Sequence, residues 1–218
     1  GASSMDVTVT DAGSGVQSVT YKVNGGSAQT AILDGNGKFT IPSLAEGKYD
    51  VVINATDNAS NTSSLSVNVA SQYTVTFKLY SGDTGTALKT QTVDYSDPAT
   101  APADPTRTGC AFKGWDRSFA NITADTIVNA TWDISGVTVT PYNGTYVGTA
   151  KDSVTVLGTL PGDTITYSID GTDYMAFCPQ YTNAGSYPVY VKVERAGCTT
   201  WESGLKIAVI SRISGSVT

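Results

Sequence analysis

The chain has 218 residues, of which 40% are hydrophobic and only 15% charged, so it can bury cores beneath a neutral, hydroxyl-rich surface. Its 13 Lys and Arg against 19 Asp and Glu give a formal net charge of −6, which argues against a nucleic-acid backbone or an anionic membrane as partner. It contains no histidine, and so lacks the commonest general base, transition-metal ligand and neutral-pH switch.

Apolar residues alternate with Thr, Ser, Lys or Asn in run after run, and Gly, Asn, Asp and Pro clusters punctuate the runs about every ten residues. No segment of helical length carries a 3.6 period, and Val, Thr, Ile and Tyr fill the periodic stretches, as strands prefer. The pattern predicts an all-β chain of three small modules in tandem, over residues 1–71, 72–133 and 134–218.

In the first module, Gln17 to Val23 and Ala28 to Leu33 read as a hairpin around Asn24-Gly25-Gly26-Ser27. Asp34-Gly35-Asn36-Gly37 is a second tight turn before a strand from Lys38 to Ile41. Leu44-Ala45-Glu46-Gly47-Lys48-Tyr49, leading into a strand from Asp50 to Ala55, resembles the tyrosine corner of immunoglobulin-like sandwiches. Leu65 to Val69 closes the module, whose first strand looks short. Gly1-Ala2-Ser3-Ser4 reads as a cloning scar or linker, and Ile213 to Thr218 as the lead-in to a further segment.

In the second module, Tyr73 to Tyr80 and Ala87 to Tyr95 are strands flanking the turn Ser81-Gly82-Asp83-Thr84-Gly85. A loop stiffened by Pro98, Pro102 and Pro105 follows, then strands at Phe112 to Trp115 and Thr126 to Trp132. The ordered set Tyr73-Thr74-Val75-Thr76-Phe77, Ala101-Pro102, Asp104-Pro105-Thr106-Arg107-Thr108-Gly109, Phe112-Lys113-Gly114-Trp115, Ile122-Thr123 and Ile127 to Trp132 resembles an internalin-type B repeat of the Listeria-Bacteroides kind. That resemblance implies a β-grasp-like fold, a bacterial cell-surface setting, and core roles for Trp115 and Trp132. Cys110 stands where the family usually has an aromatic.

The third module offers strands at Gly136 to Pro141, Asp152 to Val156, Thr164 to Ile169, Tyr174 to Phe177, Tyr187 to Arg195 and Leu205 to Val209. Asn183-Ala184-Gly185-Ser186-Tyr187 again resembles a tyrosine corner. With Tyr142-Asn143-Gly144-Thr145-Tyr146, Leu160-Pro161-Gly162-Asp163 and Tyr167-Ser168-Ile169-Asp170-Gly171, it is similar to the MBG-type immunoglobulin-like repeats of bacterial surface proteins. Strand follows strand at Val69 to Tyr73 and Trp132 to Val137 with almost no linker, so a semi-rigid rod is expected.

Catalytic chemistry finds little footing. No serine sits in a G-x-S-x-G elbow. Cys110, Cys178 and Cys198 are expected to be three free, small buried residues away from cationic clusters. Cys178 and Cys198 fall at opposite ends of one predicted strand, about 35–40 Å apart at ~3.3 Å per residue, too far to bridge. Glu46, Glu194 and Glu202 are scattered, and most aspartates sit in turns, which leaves no evident pair of facing acids. Asp6, Asp11, Asp57 and Asn58 could converge on calcium at one end of the first module, whereas hairpin chemistry explains Asp34 to Gly37. An isopeptide bond from Lys22, Lys78 or Lys192 to an Asn is a further device of such stalks. Exposed aromatics are the remaining route to binding, with Trp201, Tyr142 and Tyr146 as candidates against the alternative of edge packing.

The expected function is a non-catalytic stalk or adhesion segment, without catalytic residues, metal or cofactor, exposed at the cell surface or in the cell wall. Its partner would be a host or neighbouring-cell surface protein or glycan, with no nucleic acid and no membrane insertion, since no run approaches the ~18–20 apolar residues of a span. The alternative is an ancillary carbohydrate-binding region of a secreted polysaccharide-degrading enzyme.

Overall fold

The structure, a computed structural model, describes residues 3–145 and 147–212. Gly1 and Ala2 of the leading segment, Tyr146, and the closing stretch 213–218 lie outside the described residues. Among the described residues there are strands and no helix, and the all-β expectation holds. The chain forms two compact units, one of Gly1–Thr76, Thr90–Ala101 and Ser118–Ile127, the other of Phe77–Lys89, Pro102–Arg117 and Val128–Thr218.

In the first unit, β1 (Ser3–Thr8) pairs antiparallel with β4 (Lys38–Leu44). A second sheet is ordered β3 (Gln29–Thr30), β2 (Val16–Val23), β5 (Lys48–Asp57), β6 (Thr62–Ala70). Alternation buries Val19 and Tyr21 from β2 and Val51 and Ile53 from β5, against Val7, Phe39, Ile41 and Leu44. The hairpin turns at Asn24 and Gly25 with φ of 49° and 69°, a pair of left-handed residues that matches the twist of the flanking strands. The predicted strand from Ala28 to Leu33 contracts to β3. After Ala31 donates to the Val19 carbonyl at 2.9 Å, the chain leaves this edge for the Asp34 turn, and Ile32 is left 90% exposed. The Tyr49 hydroxyl donates to the Ala45 carbonyl at 3.0 Å, the corner bond read from sequence.

The central sheet is ordered β8 (Lys89–Asp94), β7 (Gln72–Lys78), β10 (Thr126–Ile134), β9 (Cys110–Trp115). β7 buries Val75 and Phe77, and β10 buries Val128, Ala130 and Trp132. Trp132 Nε1 donates to the Leu79 carbonyl at 2.6 Å, so its one polar atom is partnered. Trp115 meets Phe77 and Phe112 edge-on at 5.1 and 5.4 Å.

In the last sandwich, β11 (Thr138–Pro141) pairs with β14 (Val154–Leu157), and β13 (Lys151–Asp152) with β16 (Gln180–Tyr181). The other sheet is ordered β12 (Asn143–Thr145), β19 (Lys206–Ser211), β17 (Gly185–Glu194), β15 (Thr164–Ser168), with β18 (Trp201–Glu202) added along β17. The opening strand thus changes sheets at Tyr142, and its second half, β12, runs parallel to β19. Val189, Val191 and Val193 of β17 are fully buried with Ile134, Val137 and Val154. The Tyr187 hydroxyl donates to the Asn183 carbonyl at 2.9 Å, the second corner bond. The predicted strand at Tyr174 to Phe177 reduces to one reciprocal backbone pair between Met175 and Tyr167. Asp170 gathers Ser168, Thr172 and Asp173 into a tight turn just before it, and Phe177 ends 81% exposed.

Candidate functional site

Within the second unit the sequence holds one four-residue pattern, R-x-G-C, twice, as Arg107-Thr108-Gly109-Cys110 and Arg195-Ala196-Gly197-Cys198. Both fold into the same turn. Cys110 N donates to the Arg107 carbonyl at 3.1 Å and Cys198 N to the Arg195 carbonyl at 3.0 Å. Gly109 and Gly197 take matching left-handed φ angles of 68° and 69°, a conformation that costs a side chain about 1–2 kcal/mol. Close approach demands glycine as well. A Cβ on Gly109 would run into the Arg195 guanidinium and the Leu160 methyl, and one on Gly197 would lie 2.6 Å from the Tyr80 ring.

The two turns hold each other through their arginines. Arg107 donates through Nη1 to Cys198 Sγ at 3.3 Å and through Nη2 to the Ala196 carbonyl, while its guanidinium lies 4.6 Å from the centre of the Tyr80 ring. Arg195, buried at the end of β17, reaches the other way and donates Nη1 to the Gly109 carbonyl. Its remaining face forks onto Asp163, Nε to Oδ1 at 2.8 Å and Nη2 to Oδ2 at 2.6 Å. Asp163 is set by its own turn, where the Leu160 N–H donates to Oδ2 at 2.8 Å. Backbone bonds complete the junction, from Thr199 N to the Trp132 carbonyl at 2.7 Å and from Ser135 N to the Gly109 carbonyl at 2.8 Å.

This electrostatic setting is that of a paired fork. The Arg195 guanidinium, with the Leu160 N–H, holds the Asp163 carboxyl below the usual carboxylate range, and Asp163 in turn raises Arg195. The Cys198 thiol is pushed up to about 11, first by burial and then by the neighbouring Cys110 thiol, with Arg107 and Arg195 opposing. It is therefore a thiol, not a thiolate nucleophile, at neutral pH. A shallow hollow of about 360 Å3 opens beside the fork, floored by Leu160, Pro161 and Gly162.

The expectation that the cysteines lie away from cationic clusters is corrected here for Cys110 and Cys198, which have Arg195 and Arg107 as neighbours. Those contacts come from turns far apart in the chain, which strand alternation does not relate. The repeated R-x-G-C string was the signal available. Cys178 lies elsewhere, 3.5 Å from Ser153 Oγ and packed on the last core, and all three cysteines are thiols.

Of the predicted aromatics, Trp201 lies on β18 and Tyr142 between β11 and β12. Trp201 pairs with Val193 through β18 and packs partly buried on the valine core. Its neighbour Glu202 meets Lys192 at 3.1 Å, and that ammonium sits 4.1 Å from the centre of the Tyr174 ring. Tyr142 is half-buried at the sheet change, its ring folded over Gly144; Tyr146, its proposed partner, is outside the described residues.

Asp11 and Asp57 do line one hollow in the first unit, but each carboxylate caps its own turn. Asp11 accepts from Gly13 and Gly15, and Asp57 from Asn61. Asn58 donates to the Ser14 carbonyl, and Asp6 accepts from Thr40 on β4. Among the described residues no group of three or more Asp, Glu, Cys or His could hold a metal ion. Asp34 accepts from the Asn36 and Lys38 N–H groups, as a hairpin turn requires. Lys78 donates to the Asp83 and Gly85 carbonyls, Lys192 is engaged as above, and Lys22 lies on β2 opposite Val52.

A search of curated proteins found no match to the chain. Residues 73–140 match the family model of the Listeria-Bacteroides repeat domain, a repeat typical of bacterial surface proteins, and the middle of this chain is a repeat of that kind.

Proposed function

We propose that the chain is a non-catalytic carrier segment of a bacterial cell-surface protein, in which a β-grasp-like repeat is held between immunoglobulin-like sandwiches over 1–71 and 134–218. The observation that carries this reading is the reciprocal arginine clamp. It fixes the repeat to the sandwich that follows by side-chain and backbone bonds instead of a flexible tether, as a stalk or presenting role requires. The family match supports the surface setting. The two tyrosine corners and the sheet-changing strand β11 to β12 support the immunoglobulin-like reading of the flanks. In the repeat, the first and last strands lie at the centre of the sheet with the second and third at its edges, an order that suits a β-grasp.

The surface-borne partner is a protein or glycan. The formal charge of −6 disfavours nucleic acid, and no described helix is long and apolar enough to cross a membrane. Antibody raised against the chain should label intact cells of the bacterium that makes it. Labelling only after the cells are permeabilised would refute the surface assignment. On a glycan array, binding that disappears in Trp201→Ala would instead identify a carbohydrate-binding region.

A further inference from the structure

We propose that Cys110 and Cys198 are a redox-active pair that closes into a disulfide across the two R-x-G-C turns, converting the clamp between the repeat and the last sandwich into a covalent lock. Each cysteine ends a turn whose backbone is fixed by a glycine that tolerates no side chain. Arg107, which opens the first turn, donates to Cys198 Sγ at 3.3 Å, and Arg195, which opens the second, donates to the carbonyl of Gly109 next to Cys110, so the two cysteines end turns that lie directly against each other. The turns are held face to face by contacts independent of the sulfurs: Arg107 on the Ala196 carbonyl, Arg195 on the Gly109 carbonyl, and Thr199 on the Trp132 carbonyl. Those contacts keep the pair together in the reduced state. Cys178, which packs on the last core beside Ser153 Oγ, takes no part and serves as an internal control.

The oxidant is a small-molecule or protein disulfide of the kind found outside the cytoplasm. One thiol loses its proton to solvent, and its sulfur attacks the external disulfide, breaking that S–S bond and releasing one thiol. The second cysteine then loses its proton and attacks the mixed disulfide, forming the Cys110–Cys198 bond and releasing the second thiol. Two S–H bonds are oxidised to one S–S bond, and one external disulfide is reduced to two thiols.

The test is to treat the full chain with oxidised glutathione and compare it with chain kept reduced. The expected result is an intact mass lower by two hydrogens, with tryptic peptide 108–113 joined to peptide 196–206 and Cys178 still open to alkylation. The thermal midpoint of the oxidised chain should rise by about 5 °C or more. Cys178→Ser should oxidise like the parent, while Cys110→Ser and Cys198→Ser should not close. Persistence of stable glutathione adducts, linkage through Cys178, linkage between chains, or both thiols remaining free in folded protein would each overturn the proposal.

Discussion

Gly109 and Gly197 carry two separate demands, a left-handed backbone and a neighbour where a Cβ would stand, whereas Gly82 carries only the first. Its φ is 85° and a Cβ there would meet nothing within 4 Å. Gly82→Ala should therefore cost roughly the strain alone, about 1–2 kcal/mol. Gly109→Ala must also push aside the buried Arg195 fork, and Gly197→Ala the Tyr80 ring on which Arg107 stacks. Each should exceed the Gly82 variant by a further ~1–3 kcal/mol. Urea midpoints of the three variants decide the matter, and equal losses would mean that the turns are looser than the contacts show. The same residues explain why the site was hidden in the sequence. Glycine in a turn is legible from its neighbours, but which side chain will lie over it depends on a turn in another part of the chain.

At the scale of elements, the Asp163 to Arg195 fork joins the turn before β15 to the end of β17 with both side chains almost wholly buried, 2% and 7% exposed. Removing one partner of such a pair strands the other charge, at a cost of about 3–5 kcal/mol. Because the folded carboxyl titrates below its unfolded value, its contribution is fully present above about pH 4, the unfolded value, and is lost as pH falls through the lower folded value. Asp163→Asn should thus be strongly destabilised at pH 7, and the gap from the parent should close in acid. Denaturant titrations at pH 7 and pH 3 measure it, and a gap that stays constant would show that the ion pair is not the source.

Long strands such as β2, β5, β10 and β17 were legible because one face is buried and period-two alternation follows. β3, β16 and β18 have two residues each, too few to show a period, and exist because a neighbouring strand offers free backbone groups. Both tyrosine corners were legible for another reason: donor and acceptor are four residues apart, so the bond is local.

At the scale of the molecule, the second unit contains most of the repeat's β9 and β10 together with the whole last sandwich. The sequence marked the boundary between those parts by a change of motif, but not how firmly they would be bound, since the bonds run between distant strings. Arg107 is the partly exposed member of the clamp, so replacing it strands no buried counter-charge, unlike loss of Arg195. Arg107→Met removes the bonds to Cys198 Sγ and the Ala196 carbonyl and the stacking on Tyr80, a loss of about 2–4 kcal/mol from the junction. In the parent, amides of β10 and β17 should lose hydrogen-exchange protection at one common urea concentration, because the junction couples the two parts into a single cooperative block. In Arg107→Met the two sets should separate, with each strand's own protection at low urea little changed. Separate transitions already present in the parent would mean that the clamp orients the parts without coupling their stability, and the carrier role would then rest on the family match alone.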